Sequence, residues 1–100
     1  MIHRHGNQLV LQGPVTIENV VEMTQQGAAM FDGNDLIVDL KNVTEVDSTI
    51  VSLLLEWLRT ARNQNHQLQF MHVPQNLSSL IQLYGIAELI PLSIDNQQPS

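Results

Sequence analysis

The sequence predicts one α/β domain: a mixed sheet of four to five strands with helices packed on it. Three observations carry this reading. Segments with strand patterning alternate with helical ones in the order β-β-α-β-α-β-α-β, which indicates parallel pairing through crossover helices. Leu36 to Leu40 is a nearly continuous apolar run, as a central strand covered on both faces requires. Ser48 to Asn63 has the periodicity of an amphipathic helix. A chain of 100 residues suffices for one domain and not for two. That domain is expected to span 1–94, with 95–100 as a polar C-terminal tail.

Ile2 to Arg4 reads as a short edge strand, His5-Gly6-Asn7 as a turn, and Gln8 to Gln12 as the second arm of a hairpin. Gly13-Pro14 is expected to break that arm. Val15 to Gln26 then reads as a helix with Thr16 as its N-cap and Ile17, Val20, Val21 and Thr24 on one face. Gly27 either stops it or lets it run on through Ala28 and Met30. Asp32 to Asp35 is a turn, and Lys41 to Asp47 is a loop between the apolar strand and the long helix. Gln67 to Val73 alternates as a strand, with His72 expected as a hydrogen-bonded strand residue. Pro74 ends it, Asn76 caps a helix from Leu77 to Tyr84, Gly85 stops that helix, and Ile90 to Ile94 is a last short strand. The crossovers are expected to be right-handed.

Composition narrows the function. Ten Asp and Glu stand against four Lys and Arg, a net charge of -6. Nucleic-acid binding and direct attachment to anionic lipid both need clustered Lys and Arg. With no cysteine there is neither a disulfide framework nor a Cys-based zinc site. His3 and His5 share a strand face but have no third ligand nearby in sequence, so no metal site is expected. There is no Gly-Lys-Ser or Gly-Lys-Thr phosphate loop and no Gly-x-Ser-x-Gly elbow around Ser48. No nucleophile has a paired base, so neither catalysis nor a cofactor is expected. The first residues lack the apolar core of a signal peptide. Ile50 to Leu58, the longest nearly apolar stretch, falls far short of the ~20 residues that span a bilayer. A cytoplasmic protein without direct membrane insertion is the expectation.

The long helix holds an anomaly. At about 100° per residue, its apolar side chains cover an arc of roughly 200°, whereas packing on a sheet uses little more than ~100°. The excess lies at Leu53 and Trp57 on one margin and Leu55 on the other. Either neighbouring helices cover these residues, or Leu53 or Trp57 is an exposed anchor for a partner, a role in which Trp is enriched. The same apolar margin offers an isolated copy a surface for homodimerisation.

Asp47, Ser48 and Thr49 open this helix beyond the carboxyl end of a buried strand, where α/β folds place function. Each can cap the helix, and a hydroxyl there suits phosphorylation, because the helix dipole and free N–H groups favour added negative charge. Ser52 and Glu56 continue the polar face one and two turns on.

The strand Leu36 to Leu40, followed by Val46-Asp47-Ser48 and a leucine-rich helix, resembles the STAS family of sulfate transporters and anti-sigma factor antagonists. Leu53 through Arg62, Leu68-Gln69-Phe70, Pro74 through Leu80 and Leu83-Tyr84-Gly85-Ile86 resemble its MlaB branch. The resemblance spans roughly Leu9 to Leu92 and implies a STAS-like fold. It also implies a non-catalytic subunit that binds the cytoplasmic ATPase of a phospholipid-transport ABC complex, peripheral to the inner membrane through that partner. The implied partner-binding residues are Asp47, Ser48, Thr49, Ser52, Leu53, Glu56 and Trp57. The alternative is an anti-sigma factor antagonist switched by phosphorylation of Ser48 by an anti-sigma factor kinase. Antagonists usually carry glycine two residues beyond the phosphorylated position, where Ile50 stands here. A β-branched residue resists φ > 0 and close backbone approach, and Glu45 and Asp47 would repel a phosphate. Both points favour the transporter-subunit reading.

Overall fold

A computed structural model describes residues 1–93 of the chain. Four strands and three helices follow in the order β1 (Ile2–His5), β2 (Gln8–Val15), α1 (Val20–Ala29), β3 (Leu36–Val46), α2 (Thr49–Asn63), β4 (Leu68–Met71) and α3 (Gln75–Leu83), then a short 3₁₀ turn, Ala87–Leu89. The sheet order is β1-β2-β3-β4. β1 and β2 are antiparallel, turning at Gly6 with φ +63, while β2–β3 and β3–β4 are parallel. The result is the mixed sheet that the alternation of elements predicts.

Register explains the core. Leu9 lies beside Val38 and Val38 beside Phe70. Every second residue therefore points to one face, where Leu9, Leu11, Leu36, Val38, Leu68 and Phe70 are buried. Helices α1 and α2 contact each other and the sheet, and Leu77 and Ile81 of α3 join the same core. On the other face Val10 and Ile37 are half-buried. Asp39 is buried there too, and its Oδ1 accepts the Lys41 N–H at 3.0 Å and lies 2.9 Å from His72 Nδ1. His72 is hydrogen-bonded as expected, but it sits just past β4 at φ +57.

Several boundaries differ from the sequence expectation. β2 does not stop at Gly13-Pro14; it continues to Val15 beside a longer β3, with Gly13 against Val43 and Val15 against Val46. β1 pairs no further along β2 than Leu11. Met1 still exchanges backbone bonds with Gln12; beyond Gln12 this side of β2 is an edge, where proline's missing N–H costs no ladder bond. Two register shifts and Gly13 at φ +81 absorb the irregularity. The same pairing makes Lys41 to Val46 strand rather than loop. Helix α1 begins at Val20 with Asn19, not Thr16, at its N-cap. Ile17 therefore lies in the connection and Val21 on the outer face, both exposed rather than buried. Pro74, not Asn76, is the N-cap of α3. The expected last strand reduces to a single bridge between Leu92 and Phe70. Ile94 and the expected tail 95–100 lie outside the described residues.

Gly27 does not stop α1, which runs on to Ala29, and the glycine has a packing role there. A Cβ built there would meet Trp57 Cζ2 at 2.1 Å, so only glycine leaves space for the indole. The ring is held in place by a 3.0 Å hydrogen bond from its Nε1–H to the Thr24 carbonyl, and it lies tilted against Phe31, with ring centroids 6.2 Å apart. At an ordinary helix position Gly→Ala would gain about 1 kcal/mol of propensity. Overpacking costs about 1–3 kcal/mol and here is expected to win. Gly27→Ala should thus lower unfolding free energy by up to about 2 kcal/mol in urea titrations; a more stable variant would refute this account of the helix contact.

Candidate docking site

The parallel strands β2 and β3 end side by side, bringing the connection into α1 against the connection into α2. Asp47 joins them. Its Oδ1 accepts the Thr49 N–H at 3.0 Å and also the Thr49 hydroxyl. Its Oδ2 accepts the Ile17 N–H at 2.9 Å. One carboxylate thus caps α2 and holds the neighbouring loop. The Thr49 hydroxyl bond, then the Ile17 N–H bond, holds the Asp47 carboxyl below its ordinary range.

The structure separates the three residues at this corner. Thr49 is half-buried and its hydroxyl is committed to Asp47. Ser48 is exposed, and its hydroxyl makes no hydrogen bond among the described residues. It stands where the free N–H groups of α2 concentrate positive potential. Ser52 is exposed one turn along. Glu56, a further turn on, is half-buried and chelates the Arg59 guanidinium at 2.7 and 3.0 Å.

Two expected contact residues are not on this surface. Leu53 and Trp57 are 0% exposed. They are corrected from partner anchors to core, because α1 covers that margin of α2 and the Gly27 notch receives the indole. The exposed apolar residues next to the corner are instead Ile17, at 72%, and Val21, at 66%. Sequence reasoning missed them by starting α1 too early, which rotates both onto the buried face. A signal was present: Asn19-Val20-Val21-Glu22 has the N-cap and N3 acid spacing of a helix start.

A family model described as "Mlab, STAS domain" matches residues 1–91. The chain belongs to the STAS domain family. Among curated proteins it is 26% identical over 88 residues to the anti-sigma-B factor antagonist of Bacillus subtilis (strain 168), covering 88% of this chain and 75% of that protein. Among solved structures it resembles the anti-sigma factor antagonist SpoIIAA in its unphosphorylated form, with a TM-score of 0.72 at 12% identity, covering 95% of this chain and 88% of that one. It also resembles an anti-sigma-factor antagonist (STAS) domain protein from Planctomyces limnophilus, with a TM-score of 0.68 at 18% identity, covering 92% and 86%. At these identities the structures establish the fold, a STAS-like mixed sheet.

Asp47 makes stability pH-dependent in a stated direction. Its folded pKa is lowered from the ordinary 3.8, so its contribution is fully present above that value and is lost as pH falls through the lower folded value. Asp47→Asn keeps a single acceptor oxygen and should melt at a lower temperature than wild type at neutral pH. The gap is expected to narrow in acid, below the ordinary aspartate range. A gap that widens on acidification would contradict the assignment of both hydrogen bonds to the ionised carboxylate.

Proposed function

We propose that this chain is a non-catalytic STAS subunit that docks onto the cytoplasmic ATPase of a phospholipid-transport ABC complex, in the machinery that maintains outer-membrane lipid asymmetry. It is peripheral to the inner membrane through that partner. No described helix is long and apolar enough to cross a membrane. The observation that carries the reading is the corner itself: an unbonded, exposed Ser48 hydroxyl with exposed Ile17 and Val21 beside it. Hydrogen-bonding groups next to a small apolar patch are what a protein interface requires. Ser48 and Ser52 donate and accept across the contact, Thr49 and Asp47 hold its shape, and Ile17 and Val21 supply the apolar anchor that Leu53 and Trp57 cannot. The description of the matching family model supports the same reading.

A second reading has its own support. The curated relative is named an anti-sigma-B factor antagonist, and Ser48 is the corner hydroxyl that a kinase could reach. Two features weigh against it. Ile50 is fully buried at the position where antagonists carry glycine. Asp47 stays ionised beside Ser48, with exposed Glu45 close in sequence, so a phosphate would enter a negative field.

Ser52→Arg and Ile17→Ser change exposed side chains and should leave circular dichroism and melting temperature near wild type. Each is expected to weaken binding to the ATPase subunit by about tenfold or more, or about 1.4 kcal/mol. Co-purification of the ATPase at undiminished level by both folded variants would overturn the docking surface. Incubation with an anti-sigma kinase and ATP should leave the intact mass unchanged. A gain of one phosphate, abolished by Ser48→Ala, would select the second reading.

A further inference from the structure

The margin of α2 that α1 does not cover carries a second surface. Leu55 and Leu58, with Leu68 of β4 and Leu89 of the 3₁₀ turn, line a groove of about 630 Å³. Arg59 and Arg62 line it as well. They are two of only four Lys and Arg on a chain of net charge -6, and Arg4 is already paired with Asp32 at 3.0 Å. Arg62 forms no ion pair among the described residues, and Arg59 shares only the solvent-accessible Glu56. The groove therefore gathers positive charge and apolar surface on an otherwise acidic molecule.

One wall is a sheet edge, since β4 is the last strand in the order. The Leu36 N–H donates to the Gln67 carbonyl at 3.0 Å. In a parallel ladder the facing groups then belong to Gln67 and Gln69, and Leu68 and Phe70 turn theirs outward. Phe70 uses both of its groups: its N–H donates to Pro91 O at 2.9 Å, and its carbonyl accepts the Ser93 N–H at 2.8 Å. Among the described residues no such segment pairs with the N–H and carbonyl of Leu68, which lie on the groove side of β4. His66, which also lines the groove, is nine-tenths buried, and its Nε2 has no hydrogen-bond partner among the described residues.

We propose that this groove binds an extended peptide segment of a protein partner, one that places an acidic side chain beside an apolar one along the edge of β4. A peptide backbone supplies both the acceptor and the donor that Leu68 needs. Carboxylates form charge-assisted hydrogen bonds with Arg59 and Arg62. An apolar side chain completes the Leu55–Leu58–Leu89 wall. A small anion would meet the arginines and leave the backbone pair and the apolar wall unmatched. Eleven residues at 1.5 Å each put Arg59 about 16 Å along α2 from Ser48. The groove is thus distinct from the Ser48 corner and does not rest on the function proposed for it.

The test uses the full chain and a library of random peptides displayed on phage. Enriched sequences should place Asp or Glu next to Leu, Ile or Phe. Synthetic copies titrated into isotope-labelled protein should shift the amide resonances of Arg62 and Leu68. The double variant Arg59→Glu/Arg62→Glu, folded by circular dichroism, should lose about tenfold or more in affinity, whereas Ser52→Arg should bind like wild type. Four results would overturn the proposal: no peptide enriched, no acidic preference, equal binding by the double variant, or shifts confined to the Ser48 corner. Decanoate shifting the groove amides where peptides do not would assign the groove to a small amphiphile instead.

Discussion

The housing of Trp57 decides what the rest of this molecule presents to solvent. The indole fills a notch that exists only because residue 27 has no Cβ, and its N–H is tied to the backbone of α1. Without that notch the two helices could not approach closely enough to seal Leu53 and Trp57. With it, the apolar width of α2 divides into two parts. One part is absorbed by the sheet and α1; the other, at Leu55, remains 37% exposed and becomes the wall of a groove. A single glycine thus determines which margin of the helix is interior and which is surface.

The Asp47 carboxylate is the second organising contact, and it works between connections rather than elements. Its bonds to Thr49 are two residues apart in sequence, while its bond to Ile17 spans thirty. Local capping would leave the loop into α1 free to choose its path. The long-range bond removes that choice and sets Ile17 beside Ser48. Arg4 does similar work at the other end of α1, where its guanidinium reaches the Met30 carbonyl at 2.8 Å and Asp32 at 3.0 Å. In both places a charged side chain from one element fixes backbone belonging to another.

What could be read from the sequence follows from the range of the interaction that specifies each feature. The alternation of strands and helices and the span of α2 are governed by local periodicity, and the structure reproduces them closely. The lengths of β2 and β3 are not local. Val43 and Val46 become strand because Gly13 and Val15 lie alongside, and Gly13-Pro14 reads as a break to any argument that treats β2 alone. Within the candidate site, Ser48 and Ser52 were legible as polar residues on the outer arc of a helix. Ile17 and Val21 were not, because reading the helix from Val15 rather than Val20 counts Ile17 as helical and draws Val21 onto the buried face with it. The burial of Trp57 was equally hidden: helical wheels show that a margin is apolar, but only the partner glycine, thirty residues earlier, shows that it is filled.

The clamp at Asp47 also bears on kinetics. Loops that must be ordered during association lose conformational freedom at that moment, which lowers affinity and slows productive encounter. Here the ordering is completed when the chain folds, because one carboxylate restrains both connections before any partner arrives. If the proposed docking at this corner holds, association there would be governed by collision and orientation rather than by rearrangement, in the general range of about 10⁵–10⁷ M⁻¹s⁻¹. Differences among partners would then be expressed in how long each complex lasts.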